Sequence, residues 1–367
     1  MKASTAVGML AVEGDAELVE ALAPLWSELS SALEEGFPPS LALGVVGRDG
    51  LRLSAHGGLA CAVGTPVPAT PATAYDLASL TKVVCTVTLT LQAVTAGRWA
   101  LADPVRRWLP GFPRLPGGAT TIWHLLTHTS GLVPHRPFFE TCSGRPAIET
   151  AVYGEAAGTT PGDVVAYSDL NFLLLGWALE RCLGAPLDTS FAAQVARPLG
   201  MARARFRPAP ADRGRVAATE LDGDQRLAPG LVWGEVHDGN AHALGGVAGH
   251  AGLFADLDDL ARFVRALLAP AELGVLEPAA VALLATRQAA TGDDVRGIGW
   301  RLEPDAWGRW PEGTVWHTGF TGTSLLVAPA AGVGVVLLTN AVHPRRRLDD
   351  QAALRTLVHR RLAGALA

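Results

Sequence analysis

Apolar side chains recur at helical spacing between about Asp15 and Glu35, where Leu18, Leu22, Leu25, Trp26, Leu29 and Leu33 share one face. Acids and serines fill the other face, so the period predicts an amphipathic helix, which Gly36 and Pro38-Pro39 end. Two apolar runs follow, Leu41 to Val46 and Leu51 to Ala55, joined by Arg48-Asp49-Gly50. Asp-Gly between such runs predicts a β-hairpin. A Pro/Thr-rich connector, Thr65 to Thr73, leads to Tyr75-Asp-Leu-Ala-Ser79, and a helix-compatible apolar run continues to about Ala96.

From about Gly97 to Gly249 the pattern changes to short helical runs set among Gly/Pro-rich loops, at Ile122–Leu126, Leu170–Cys182 and Phe191–Arg197. The second is apolar nearly all round, through Leu173, Leu174, Leu175, Trp177, Ala178 and Leu179, which predicts a buried helix. No strand alternation of any length occurs here, and Arg205 to Asp238 fits neither period. After Gly252 an amphipathic helix covers about Leu257 to Leu268. Strand patterns resume at Gly297–Leu302, Thr314–His317, Ser324–Ala328 and Val333–Thr339, and an amphipathic helix closes the chain at about Gln351 to Leu362. These elements predict an α/β (α+β) fold. An antiparallel sheet is flanked by the N- and C-terminal helices, and a mainly helical lobe is inserted. The expected lobes of this single domain are residues 1–75 with 253–367, and 76–252.

Composition narrows the picture. A chain of 367 residues with 49% apolar and 18% charged positions can bury a large core and is not a disordered polymer. Thirty basic against 35 acidic residues give a net charge of −5, with no general attraction for nucleic acid or anionic membranes. The run Arg345-Arg-Arg347 reads as a solvated loop. Acids at Glu13, Asp15 and Glu17 interrupt any signal-peptide core, and no run approaches the roughly 18 apolar residues of a spanning helix. Cys61, Cys85, Cys142 and Cys182 are widely spaced, with Cys85 and Cys182 in apolar helical patterns, which points to free thiols in a reduced, cytoplasmic setting.

Three short elements have catalytic shape. In Ser79-x-x-Lys82 the two side chains lie one helical turn apart, and a lysine amine of lowered pKa can take the serine proton. Amides at the helix start would stabilise an oxyanion. Tyr167-Ser168-Asp169 precedes the buried helix, and His317-Thr318-Gly319 ends a strand and leads into Phe320. Ser-x-x-Lys, Ser-Asp-Asn and Lys-Thr-Gly are the three parts of penicillin-recognising serine enzymes, and the three elements here follow in that order on matching contexts. His124 and His128 stand at i, i+4 but lack the glutamate of a zinc-protease helix, so no metal site is read there. His237, Asp238, His242 and His250 read as hydrogen-bonded loop side chains near the mouth of the site. Trp233 and Trp316 are assigned to the cleft wall.

On these residues the chain resembles the serine hydrolase superfamily of class C β-lactamases, DD-peptidases and related esterases, over about Leu41 to Thr339. Trp123-His-Leu-Leu-Thr-His-Thr-Ser-Gly-Leu132 and Gly246-Val-Ala-Gly-His-Ala-Gly-Leu-Phe254 are similar to signature phrases of the broad β-lactamase-related class. The resemblance implies that Ser79 is acylated by a substrate carbonyl and that Lys82 and Tyr167 share the proton work. It also implies that the amides of Ser79 and Phe320 form the oxyanion hole. His317 would act beside them, with Asp169, Thr318 and Gly319 against the substrate, and neither metal nor organic cofactor is required.

Two departures bear on the substrate. Family members place lysine where His317 stands. A histidine of pKa about 6.5 would be only about a quarter charged at pH 7, weakening carboxylate recognition and making it pH-dependent. Asp169 replaces the asparagine of Tyr-x-Asn. An ionised carboxylate cannot donate to a substrate carbonyl, and beside Lys82 it would hold the amine charged. Either Asp169 points away or Tyr167 is the main base. Both departures lean towards ester or relaxed amide cleavage of a small molecule. The alternatives are a DD-carboxypeptidase or β-lactamase acting on cell-wall-like lactams and peptides, and a penicillin-binding-like sensor that acylates without turnover.

Overall fold

A computed structural model describes residues 9–113, 119–155 and 157–366. The leading residues 1–8, part of the stretch in which no signal-peptide core was read, lie outside them. The N-terminal part supplies β1 (Ala11–Gly14), β2 (Ser40–Gly47), β3 (Gly50–Cys61) and the two-residue β4 (Val67–Pro68) and β5 (Tyr75–Asp76). The middle supplies β6 (Arg205–Phe206) and β7 (Leu253–Ala255). The C-terminal part supplies β8 (Ala289–Thr291), β9 (Asp294–Arg296), β10 (Arg301–Leu302), β11 (Val315–Thr318), β12 (Ser324–Ala328) and β13 (Val333–Thr339).

The main sheet runs β1-β3-β2-β13-β12-β11-β10-β9-β8, with β4 beside β3. Its pairs are antiparallel, and the two ends of the chain meet in its middle, where β2 zips to β13 from Leu41↔Thr339 to Gly47↔Val333. Side chains alternate between the two faces of a strand. On one face Leu41, Leu43, Val45, Leu326, Ala328, Val335 and Leu337 pack under the helices Ala16–Ala21, Ala23–Glu34 and Leu348–Leu366, through Leu18, Leu25, Leu29, Leu354, Val358 and Leu362. On the other, Ala42, Val46, Leu325, Val327, Val336 and Leu338 join the larger core with Leu257, Leu260 and Val264 of the helix Leu257–Leu268. The expected sheet, its flanking terminal helices and the helical insertion are all present.

Boundaries differ in places. The first predicted helix breaks at Leu22 into two pieces. The Leu51 strand runs on to Cys61, past the Gly57-Gly58 pair that hides its alternation. In place of one strand over 297–302 the chain makes the β8–β9 hairpin, which turns at Gly292 (φ +54°), and then short β10. The buried helix spans Asp169–Leu183, with Leu170 through Leu179 all buried. The four cysteines are free, but Cys182 is only half-buried. Among the described residues, no helix is long and apolar enough to cross a membrane.

Candidate active site

The nucleophile turn is built from the chain just before Ser79. Buried Asp76 accepts from the Ala78 amide at 2.8 Å and from the His237 amide at 2.6 Å. Ala78 is held at φ +46°, a conformation that costs a non-glycine residue energy and marks a turn fixed by its surroundings. Leu80 then starts a helix whose stretch Lys82–Val87 is π-helical before α-helix resumes over Thr88–Thr95. Lys82 is fully buried.

The His317 triplet is stitched to this turn. Thr321 Oγ1 donates to the Asp76 carbonyl at 2.6 Å and Thr323 Oγ1 to the Leu77 carbonyl at 3.2 Å. Gly319 is required for that closeness, since a Cβ there would stand 2.1 Å from Thr323 Oγ1 and 2.4 Å from the Leu77 oxygen. The stitching fixes the Phe320 amide relative to Ser79. Neither the Ser79 nor the Phe320 N–H has an acceptor among the described residues, so two donors are free to serve an oxyanion.

Tyr167 and Asp169 arrive from a loop held on His128. The buried His128 ring takes the Ser168 amide on Nδ1 at 3.0 Å and lies 4.6 Å, centroid to centroid, from the Tyr167 ring. Its carbonyl accepts from the Ala166 amide, and the Pro134 carbonyl accepts from the Asp169 amide at 2.8 Å. Burial holds His128 neutral, well below its ordinary pKa. The histidine set aside as a metal ligand is therefore the platform for Tyr167.

Lys82 Nζ donates to Ser79 Oγ at 2.9 Å, Asp169 Oδ1 at 2.8 Å and the His250 carbonyl at 3.2 Å. Three N–H bonds meet three acceptors, the pattern of an ammonium. Burial works against that charge, but Asp169 and then Tyr167 outweigh it and hold the Lys82 pKa above the ordinary lysine value. Burial likewise opposes ionisation of Asp169, and Lys82 and His135 overcome it, leaving the carboxyl well below the usual range. Of the two alternatives left open by the sequence, Asp169 does not point away. Burial raises the Tyr167 hydroxyl and Lys82 pulls it back, with Asp169 opposing; the net shift is upward.

His317 differs from its expected state. Its Nδ1 lies 2.9 Å from the Thr318 carbonyl and so carries the proton, while Nε2 is buried without a partner among the described residues. Burial first, then Lys82 and Arg296, lower its pKa well below the ordinary histidine value. The quarter-charged imidazole expected at pH 7 is thus a neutral one, because the ring is 3% exposed. Trp316, its strand neighbour, faces the opposite way and packs on Trp307 at 4.5 Å, as the two-residue period of a strand requires. Trp233 bonds the Val216 carbonyl and stacks under Arg213. Neither tryptophan lines the cleft.

The cleft, about 360 Å³, is lined by Ser79, His135, Tyr167, Asp169, His250 and Phe320, with Gln225, His237, Asp238 and Arg346 at its wall. His237 pairs with Glu220 at 3.0 Å and His250 with Asp238 at 2.9 Å. Half-exposed Phe320 stacks on His237 and under Arg346. Arg346 bonds Glu220 at 2.8 Å and also Asp224. His135, Glu220 and Gln225 sit in loops without period and carry no sequence signal, whereas Arg346, expected in a solvated loop, is instead drawn into ion pairs with Glu220 and Asp224 at the cleft wall. The arrangement can activate a serine hydroxyl, hold an oxyanion and exchange a proton at Tyr167.

Comparison with known proteins identifies the family and the fold. A sequence profile of the β-lactamase family matches residues 29–359. A protein of Escherichia coli strain K12 that carries the name of a D-alanyl-D-alanine carboxypeptidase is 31% identical over 317 residues, covering 76% of this chain and 71% of that one. Two solved structures share the fold. EstCE1, described as a hydrolase with promiscuous acyltransferase activity, has a TM-score of 0.76 at 24% identity, covering 93% of this chain and 99% of its own. The octameric penicillin-binding protein homologue of Pyrococcus abyssi has 0.75 at 21%, covering 94% and 77%. In class, the protein is a serine hydrolase. It belongs to the β-lactamase family.

Proposed function

We propose that the chain cleaves esters or amides of small molecules through an acyl intermediate on Ser79. The observation that carries this is the 2.9 Å bond from Lys82 to Ser79 Oγ, beside the Ser79 and Phe320 amides, which have no acceptor among the described residues. Lys82, already charged and fully engaged, serves as a donor that stabilises the serine oxygen. The Ser79 proton passes to the Tyr167 oxygen as Oγ bonds the substrate carbonyl carbon. The Ser79 and Phe320 amides hold the resulting oxyanion, each worth about 2.7–4 kcal/mol in such sites. Collapse breaks the bond to the leaving alcohol or amine, which takes the proton from Tyr167. Water then attacks the acyl carbonyl, again giving a proton to Tyr167; the acyl–Oγ bond breaks, Ser79 Oγ takes that proton back, and the acid leaves. Because the raised pKa makes the phenolate a minor form at neutral pH, kcat/KM rises with pH.

Asp169, Thr318 and Gly319 border the acyl group in this reading, and His317 is a neutral neighbour. Among the described residues the cations at the cleft are committed, Lys82 and His135 to Asp169 and Arg346 to Glu220 and Asp224, while His317 is neutral. This favours neutral esters and amides. The E. coli relative's name supports a second reading, release of a C-terminal D-alanine. A panel of p-nitrophenyl butyrate, nitrocefin and a D-Ala-D-Ala peptide separates the two. Turnover of the ester above both others, lost in Ser79→Ala, supports the first reading; turnover of the peptide above the ester overturns it. We take residues 1–75 with 253–367 and residues 76–252 as the two lobes flanking the cleft. The free thiols support a cytoplasmic setting.

A further inference from the structure

Beside Tyr167 lies a group of charges that the reaction as described does not use. Arg296, at the end of β9, is 2% exposed, and its guanidinium carbon stands 5.6 Å from the centre of the Tyr167 ring. Its Nη2 bonds Asp294 Oδ2 at 2.8 Å, while its buried Nη1 has no hydrogen-bond partner among the described residues. Asp294 is shared, since Arg301 Nε also approaches it at 3.2 Å. One carboxylate between two guanidiniums leaves a net positive charge, and the buried member of the pair faces the tyrosine.

The other buried groups around Tyr167 cancel or are neutral. From the nucleophile helix, Lys82 Nζ stands 4.9 Å from the ring centre, but its charge is matched by Asp169 at 2.8 Å. His128 packs on the ring at 4.6 Å and His317, on β11, lies at 6.0 Å; both are neutral. Ser79 faces the hydroxyl. His135 Nδ1 also meets Asp169 at 3.4 Å, but from a half-exposed position, so the uncompensated charge that is buried beside Tyr167 is that of the arginine pair.

We propose that Arg296 is a positioning residue for catalysis, a buried cation that steadies the Tyr167 ring and favours its phenolate where His317 contributes no charge. The proposal rests on the reading of Tyr167 as proton acceptor. A cation near an ionisable phenol stabilises the anion relative to the neutral form, and a buried one does so with little screening by salt. Proton transfer is unchanged: Ser79 gives its proton to Tyr167, and Arg296 neither gains nor loses one.

The test is the pH profile of kcat/KM for p-nitrophenyl butyrate, corrected for spontaneous hydrolysis, in wild type, Arg296→Gln, Arg296→Lys, Arg301→Gln and Tyr167→Phe. Arg296→Gln is expected to move the rising limb up by about one pH unit, close to tenfold lower activity at fixed neutral pH, while Arg296→Lys moves it by less than half of that. Arg301→Gln, at a half-exposed position outside the cleft, lets Asp294 neutralise Arg296 and is expected to move the limb in the same direction by less. A merely structural arginine would lower the plateau without moving the limb. An unmoved limb in folded Arg296→Gln overturns the proposal, and if that variant does not fold, an unmoved limb in Arg301→Gln does so. Tyr167→Phe tests the underlying reading separately: a wild-type profile in that variant removes Tyr167 as acceptor, and the role of Arg296 with it.

Discussion

Lys82 Nζ and Asp169 Oδ1 stand 2.8 Å apart at the bottom of the cleft, and the same Nζ donates to the nucleophile. The pair sets the protonation state of the site, since the carboxylate that keeps the amine charged also opposes ionisation of Tyr167. Removing it acts on both groups in one direction. Asp169→Asn is expected to lower the pKa of Lys82 and of Tyr167 together. The rising limb of kcat/KM should move to lower pH by about one unit. A limb that stays in place or moves up, in a variant still labelled by a fluorophosphonate, would contradict the pair's assigned role.

Gly319 connects packing to chemistry. A Cβ at that position meets Thr323 Oγ1 and the Leu77 carbonyl well inside contact distance, so Gly319→Ala must push the Phe320 amide away from Ser79. The expected loss in kcat is about 10²–10³-fold, the usual effect of losing one oxyanion donor. Steady-state kinetics beside a thermal melt would check this, and wild-type kcat would remove Phe320 from the oxyanion hole.

His317 is neutral because it is buried, and this has a consequence opposite to that expected from its intrinsic pKa. The preference for a neutral over a carboxylate-bearing ester should therefore owe nothing to His317 as pH falls through the ordinary histidine range, and its pH profile should be the same in wild type and in His317→Gln. The ratio of kcat/KM for a matched pair of esters measures it. A swing towards the carboxylate as pH falls through about 6.5 that is lost in His317→Gln would show a protonating His317.

Much of this was legible in the chain. β12 and β13 were read at their observed limits because both are continuous apolar runs, divided by a turn at Gly332. Ser79, Lys82, Tyr167 and Asp169 meet because helix start and pre-helix loop are local features that a sequence displays. The β8–β9 hairpin, which carries Arg296, was missed: its strands are three residues each, and only Thr291-Gly292-Asp293 announces the turn. Burial of His317, and with it its charge state, depends on contacts among segments more than 100 residues apart, which no local pattern encodes. Trp316 was misplaced for a simpler reason: a one-residue step along a strand changes the face.

His359 gives the account a stability test away from the site. Its ring is fully buried, stacks on Trp307 at 4.0 Å and meets Ser324 Oγ through Nε2 at 2.9 Å. Burial, aided by Arg355, lowers its pKa to about 3. The unfolded chain takes up this proton near pH 6.5, and the folded one does not until about pH 3. The stability it contributes is therefore present above pH 6.5 and is lost progressively as pH falls towards 3. Urea unfolding from pH 7 to 4 should show a steeper loss in wild type than in His359→Phe. Parallel curves would mean that the imidazole is protonated inside the fold.

The central claim is that Ser79 carries the acyl group. Intact-protein mass spectrometry after brief mixing with an activated ester, quenched in acid and followed by peptide mapping, addresses it directly. The account predicts one added acyl mass on the peptide containing Ser79, absent from Ser79→Ala, together with a loss of turnover of at least about 10³-fold in that variant. An acyl adduct on another residue, or wild-type turnover in Ser79→Ala, would contradict it.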